Sequence, residues 1–558
     1  MSINTSLIPL LGTGGKAPEK YWVFHAGTSD SATNDNEAED QIRFRAMALN
    51  PETETVYMGC HGWKFYNPTG AKNQAFFGFG LSKDGVVLSG TSQPNLKHNV
   101  GHSQLNPTGW GNYVKNFGSS HIQMRILANS RYMTTQPIAG GLLGANTSGG
   151  KVSRGYIAAT GHYDASGAYM EASQYDMDNN QNYNNNWRRI TNIRYYDASS
   201  NLNEFVVSSY SSQPIAMYQH TDGTFYMLWA GQISTGGYVF QIVRAYNVSG
   251  TLLWTAKVGA DGNNSWPYNF QAGCLNPNNG NIIYPNTVQV SQQGYNGFFY
   301  ELDKSDGSIA HNHNGDDVKI NFRVGDINDA FGVNEYYMKC IKIDSDGKYY
   351  ALFVSRRQQG NDSWTMSSDA EKSFYTTLVK LTRLTSGQGL NGTGFTIDWV
   401  RCFIGSTGGS SLMDTSVGWD KEKPVQIEVD DNAVYVGFGI RRADYKWNNY
   451  IIRMPKDGTG TGTYTAGDNT HKIHIRDVGP NSSEHADNKV SISRTDLSSG
   501  INHDTGTSDN EWGHLRGNYY GGQTTNEQNS YTYRNVGGYG QTGENKSIPT
   551  SSKVDIST

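Results

Sequence analysis

Cysteine is scarce in this chain. Four occur in 558 residues, Cys60, Cys274, Cys340 and Cys402, far apart and inside apolar runs. No CxxC pair or Cys/His metal spacing is present, which argues against a zinc site and against a disulfide framework. Buried free thiols are the expectation. Charge is scarce too: Asp, Glu, Lys and Arg make up 17% of the residues and the formal net charge is −5. A nucleic-acid binder needs a basic stripe along the phosphates, so no nucleic-acid partner is expected. No apolar run approaches the length of a membrane span, so no membrane insertion is expected either. Met1–Gly15 (MSINTSLIPLLGTGG) lacks a basic leader region and is interrupted by Pro9, so it reads as neither signal peptide nor anchor, and synthesis in the cytoplasm is expected. The nucleophile elbow GxSxG, the zinc motif HExxH and the phosphate loop GxxxxGK[ST] are all missing. From these absences the sequence implies no cofactor, no metal and no catalytic residue.

Glycine and aromatic residues are what the chain has: 65 Gly, 35 Tyr and 12% aromatics overall. Such a composition suits turns and pleated, half-buried surfaces and disfavours long helices. Apolar runs end in Gly/Asn/Asp turns and restart in aromatics at Met47–Met58, Ile215–Leu228, Ala272–Tyr284, Cys340–Leu352 and Val425–Val436. A second type of hairpin follows each, at Phe76–Leu88, Val239–Trp254, Phe298–Ile309, Leu378–Trp399 and Tyr450–Gly460. Asp-Gly and Ser-Gly at the bends supply the positive φ that tight hairpins need. Two consecutive hairpins form a four-stranded meander, which is a propeller blade. A degenerate sixth copy is expected within Ile122–Ala172. The fold expected is all-β, a β-propeller of six or seven four-stranded blades.

Strand composition agrees. Val434-Tyr435-Val436-Gly437-Phe438-Gly439-Ile440 alternates large apolar residues with small ones rather than with charges. That is expected where both faces of a sheet are packed and glycine leaves room for a neighbour's ring. Three parts follow: an N-terminal anchoring segment over 1–20, a propeller over 21–476, and a polar C-terminal tail over 477–558, extended or packed on a neighbour.

Most carboxylates mark turns (Asp84, Asp222, Asp306, Asp346, Asp457), where Asp is favoured for backbone reasons. His311-Asn312-His313 could ligate a metal from one strand face, although solvated loop histidines are commoner. Asp176-Met177-Asp178-Asn179 begins like a calcium loop but lacks its glycine and distal Glu. The stronger pointer is tryptophan in or beside long connections: Trp110, Trp187, Trp266, Trp364, Trp419 and Trp447, with Trp63 and Trp512 in similar settings. Rigid amphipathic rings on loops suit stacking on sugar faces; the competing reading is packing beneath those loops or between subunits.

Three resemblances attach to these residues. Tyr246–Trp254 looks like the quinoprotein blade motif, in which a Trp docks on a tight Gly turn, though no second full copy occurs. Ser82-Lys83-Asp84-Gly85 and Ser305-Asp306-Gly307 resemble sialidase Asp-boxes without the aromatic that should follow. Met1–Gly15, Tyr21-Trp22-Val23 and the paired Asp-Gly hairpins of residues 1–475 together are similar in style to the propeller-bearing virion proteins of marine and cyanobacterial tailed bacteriophages. That last resemblance implies a non-enzymatic tail or tail-fibre component, oligomeric in the particle, contacting other virion proteins and the host-surface glycan. The alternative is a carbohydrate-binding or polysaccharide-depolymerising propeller, and a third reading is a quinone-dependent dehydrogenase.

Overall fold

The computed structural model describes residues 19–27, 41–50, 54–63, 74–87, 123–127, 131–135, 162–163, 169–170, 188–196, 202–210, 213–219, 225–232, 239–246, 252–258, 273–290, 294–310, 312–313, 316–324, 334–356, 374–384, 389, 392–407, 411–412, 425–441, 447–466, 471–479, 490–496, 503–506 and 550–556. Among these there is no α-helix, and the strands pair almost entirely antiparallel. Met1–Gly15, Cys60's side chain, Asp222 and the Asp176 loop lie outside the described residues.

Six meanders follow in chain order. Meander I comprises Gln41–Asn50, Thr55–Trp63 and Gln74–Leu81, and meander II the short strands Gln123–Leu127, Arg131–Thr135, His162–Tyr163 and Tyr169–Met170. Meander III is Gln213–Gln219, Phe225–Gln232, Val239–Tyr246 and Leu252–Val258. Meander IV is Cys274–Leu275, Ile282–Val290 and Gly294–Leu302, with a fourth-strand bridge between Leu302 and Ile309. Meander V is Asn334–Ile343, Lys348–Arg356, Phe374–Arg383 and Phe395–Thr407. Meander VI is Val425–Val429, Ala433–Arg441 and Trp447–Pro455. A separate hairpin, Arg188–Tyr196 with Leu202–Tyr210, sits between II and III in sequence.

The hairpins expected from Gly/Asn/Asp turns pair in register at Met47↔Met58, Ala216↔Leu228, Cys340↔Leu352, Ile427↔Val436, Ala245↔Trp254 and Lys380↔Trp399. One does not form. After Pro455 the chain turns, but the next strand, Gly462–Thr465, pairs with His471–Asp477 rather than back onto meander VI. The fourth position of VI is filled by Trp22–Gly27 from the other end of the chain, antiparallel to Trp447–Pro455 through Trp22↔Arg453 and Gly27↔Asn448.

In meanders V and VI both faces of the described strands are buried, and alternate residues serve different neighbours. In Lys348–Arg356, Tyr349, Ala351 and Phe353 join a core shared with Ile283, Phe299 and Ile320 of the meander IV region. Tyr350, Leu352 and Val354 join a core shared with Ile427, Val436 and Ile452 of VI. Meander VI repeats the pattern: Val434, Val436 and Phe438 face V, while Ala433 and Tyr435 face Phe44, Met47 and Met58 of I. Period-two side chains with no wet face explain why these strands carry so little charge. Gly437 shows the spacing at its tightest: a Cβ there would stand 2.6 Å from Phe44 Cζ and 3.2 Å from Met47 Sδ. The first strands of neighbouring meanders also lie beside one another, I with II, II with III, IV with V, V with VI, and VI with I.

The polar C-terminal residues add outer strands to this same chain. His471–Asp477 pairs with Phe395–Thr407 of V, and His503–Gly506 pairs with Leu252–Val258 of III. Val490–Asp496 pairs with Asp316–Val324, itself paired to Gly294–Leu302 of IV. Thr550–Asp555 pairs with Trp22–Gly27, the outer strand of VI. Main-chain hydrogen bonding asks little of side-chain polarity, so a segment too polar for a core of its own can still be ordered on an edge.

Candidate functional site at the open end of the sheets

The glycine turns on which tryptophans dock lie at one end of the strands; the longest connections leave from the other, which also holds the short turns Val290–Gly294 of IV and Thr407–Ser411 of V. At the turn end, three tryptophans of fourth strands each reach the next meander's turn. Trp22 Nε1 donates to Lys83 O at 2.8 Å, Trp254 Nε1 to Lys304 O at 2.9 Å and Trp399 Nε1 to Lys456 O at 3.0 Å. The sequence separations are alike, 61, 50 and 57 residues. Each ring lies flat on a glycine with φ near +75°, Gly85, Gly307 or Gly458, where a Cβ would come within 2.9 Å of the indole. A tight turn that needs positive φ and a bare face for a ring accepts glycine alone. The aromatic lacking after Ser82–Gly85 and Ser305–Gly307 thus comes from the preceding meander. Trp254 docks on a turn about fifty residues downstream, Lys304–Gly307.

Charged side chains at this end are spent on one another. Glu301, 1% exposed, accepts from the side-chain amides of Asn276, Asn279 and Asn281 on one oxygen and from Arg383 of meander V on the other at 3.0 Å. Asp344 of V pairs with Lys456 of VI at 2.6 Å, caps the Lys348 amide and accepts from the Tyr350 hydroxyl. Burial and that carboxylate push the Tyr350 phenol upward. Lys380 donates to Lys456 O and lies over the Tyr350 ring; burial, only partly offset by Asp398 and Asp344, depresses its ammonium pKa. Burial alone would raise Asp457, but the Thr459 amide and hydroxyl hold its carboxyl below the usual range. Asp306 likewise accepts from the Ser308 amide. These carboxylates serve as turn caps and struts.

The VI–I junction is fastened by polar groups as well. Asn449 accepts from the Phe44 amide and donates to Ala26 O, and Gln426 accepts from the Met47 amide, on either side of a β-bulge at Phe44/Ala46. Arg453, fully buried, bonds Glu19, Lys20 O and the Tyr435 hydroxyl and stacks on Tyr21 and Tyr435. Burial disfavours its charge, yet Tyr435 and Glu19 raise its pKa overall. Inside, Lys342 pairs with Glu428 at 2.8 Å across the first strands of V and VI. Cys274, Cys340 and Cys402 are buried free thiols, and burial pushes Cys402 up to about 12.

The other end is defined by Gly27, Trp63, Gln74, Val258, Arg356, Phe374, Thr407, Val425, Arg441 and Trp447. Neighbouring turn ends lie together: Trp254 meets Lys304, Asn278 adjoins Gly347, Ser345 bonds Asp431 and Trp22 meets Lys83. The open ends of III, IV, V, VI and I therefore share one side. Connections leaving from it carry Trp266 (258 to 273), Trp364 (356 to 374) and Trp419 (407 to 425); Trp110 and Trp187 lie in the connections that precede meanders II and III. Trp447 is itself described, as the first residue of its strand, opposite Arg441. Trp63 ends its strand opposite Gln41 and Gln74. Trp110, Trp187, Trp266, Trp364, Trp419 and Trp512 lie outside the described residues. Of the His311–His313 pair, His313 lies in a two-residue strand opposite Asp316, and no metal-binding cluster occurs among the described residues.

No family model matches the chain, and no curated protein matches it. Among solved structures, a Trypanosoma rangeli sialidase in complex with sialic acid is similar over 75% of this chain and 55% of its own, at 9% identity and a TM-score of 0.31. The polysaccharide lyase Uly1 is similar over 78% of this chain and 98% of its own, at 8% identity and a TM-score of 0.29. Drosophila semaphorin 1b, extracellular domains 1–2, covers 77% and 86%, at 10% identity and a TM-score of 0.31. Likeness at this level assigns no chemistry; the site stands on its own geometry.

Proposed function

We propose that this chain is a glycan-recognising β-propeller of six blades that binds without cleaving. Trp22–Gly27 completes the last blade, and the long connections at the open end form the recognition surface. The observation that carries this reading is the division of labour between the two ends. Turns, docked tryptophans and paired charges brace one end, while the long connections that carry Trp266, Trp364 and Trp419 leave from the other. Ring closure is supported by the first-strand neighbours and by Trp254, which links III to IV. Loops on a rigid scaffold are where binding concentrates, and indole faces stack on pyranose rings.

The setting proposed is a tailed-phage particle, on the tail or its fibres, with the open end toward the host surface and other virion proteins behind it; this follows from the sequence resemblance described above. A panel of host-surface polysaccharides tests binding. The wild type is expected to bind at least one, with Trp364→Ala, Trp419→Ala and Trp447→Ala each weakening it about tenfold or more. Reducing ends released from the bound polysaccharide, and lost on changing one loop carboxylate, would replace binding by depolymerisation. Absence of the protein from purified virions would remove the particle setting and leave the binding reading intact.

A further inference from the structure

The last strand of the chain occupies an edge that can serve a second molecule. We infer that the outer edge of Trp22–Gly27 is a strand-acceptor site for an extended peptide with apolar residues two apart. It is filled here by Thr550–Ile556 of the same chain and is open to the same segment of a second copy.

Among the described residues the strand is the outermost of its sheet, with no further strand paired outside it. It binds antiparallel from Trp22↔Asp555 to Gly27↔Thr550, and the Ile556 amide extends the ladder to Tyr21 O at 2.8 Å. Its side chains divide by parity. Ser551, Lys553 and Asp555 point outward, Val554 is half-buried, and Ile556 is buried in the core between V and VI, against Gly460. Lys553 adds a polar tie by donating to Asp84 O, with its stem against the Gly85 turn of meander I. Two apolar anchors at i and i+2, a main-chain ladder and one lysine define a peptide ligand by strand addition. The preceding described strand ends at Gly506, on meander III, so a long stretch of chain separates this strand from its last described attachment. An element held by edge pairing at the end of a long connection is the kind that protomers exchange.

The test uses a peptide of residues 549–558. A protein truncated before Thr550 is expected to bind the fluorescent peptide saturably, while the full chain, whose edge is occupied, binds at least tenfold more weakly. The Ile556→Asp peptide is expected to lose at least tenfold in affinity to the truncated protein. A truncated protein that keeps its β-sheet circular dichroism yet ignores the peptide overturns the inference. Should the truncation fail to fold, a protease site placed just before Thr550 and cut after folding keeps the question open to measurement. Exchange of the cut strand for labelled peptide supports the acceptor site, and retention of the original strand under excess peptide contradicts it.

Discussion

The two ends of these sheets solve opposite problems with the same strands. At the turn end most bends are short, the Arg383–Phe395 connection of V excepted, and buried polar groups there pair internally: Glu301 with three amides and Arg383, Asp344 with Lys456 and Tyr350. At the open end the longest polar connections begin, as between Arg356 and Phe374 or Leu412 and Val425. The buried carboxylates among the described residues, Glu301, Asp344 and Glu428, already have donors, and the proposed recognition surface is accordingly placed at the other end.

The contrast can be broken most severely at the docked tryptophans. Trp399→Ala removes a ring that fills the space over Gly458 and donates to Lys456 O. A loss of about 3–5 kcal/mol in chemical denaturation is expected, as for other buried large-to-small changes. A loss below about 1 kcal/mol would mean the ring is not a junction element. Gly437→Leu drives a side chain into Phe44 and is expected to cost about 1–3 kcal/mol or more, with Gly437→Ala milder. Glu301→Leu strands the Asn276, Asn279 and Asn281 amides beneath the turn, and a loss of about 1–3 kcal/mol is expected from unfolding curves.

Acid provides a graded test on the outer strand of V. His474 bonds Thr463 and is held down to about 4 by burial, helped by Arg476 and Lys472, against 6.5 for the free side chain. The unfolded chain therefore takes up the proton first. Stability from this site is full above about 6.5, falls as pH drops toward about 4, and levels off below that. The slope is at most about 1.4 kcal/mol per pH unit. His474→Gln is expected to flatten the denaturation midpoint across that window; an unchanged slope would assign the acid sensitivity elsewhere. The smallest effect is expected at the open end, where Trp364→Ala and Trp419→Ala shift stability by no more than about 0.5 kcal/mol while weakening glycan binding.

Much of the sheet structure is legible in the sequence because hairpins are local. An Asp-Gly bend between alternating apolar residues carries its own register, as at Cys340↔Leu352 and Ala216↔Leu228. Tyr450–Gly460 misleads because its turn is genuine while its fourth strand, Trp22–Gly27, lies more than four hundred residues away. The outer strands from the polar tail are hidden for a different reason. Edge pairing uses the backbone, and Ser551-Ser552-Lys553 carries almost no apolar signature. The docked tryptophans were within reach of a reading that compared separations, since Trp22, Trp254 and Trp399 precede their Lys-containing Gly turns by similar distances. The tryptophans of the long connections are legible only by their place between strands, because a loop position carries no periodicity.

Hydrogen–deuterium exchange with and without a bound host-surface polysaccharide tests the division between the ends most directly. Protection on binding is expected in residues 357–373, 408–424 and 442–446. The turns at 82–85, 304–307, 344–347 and 456–460 should exchange alike in both states. Protection confined to those turns, or spread evenly over both ends, would contradict the assignment of recognition to the open end.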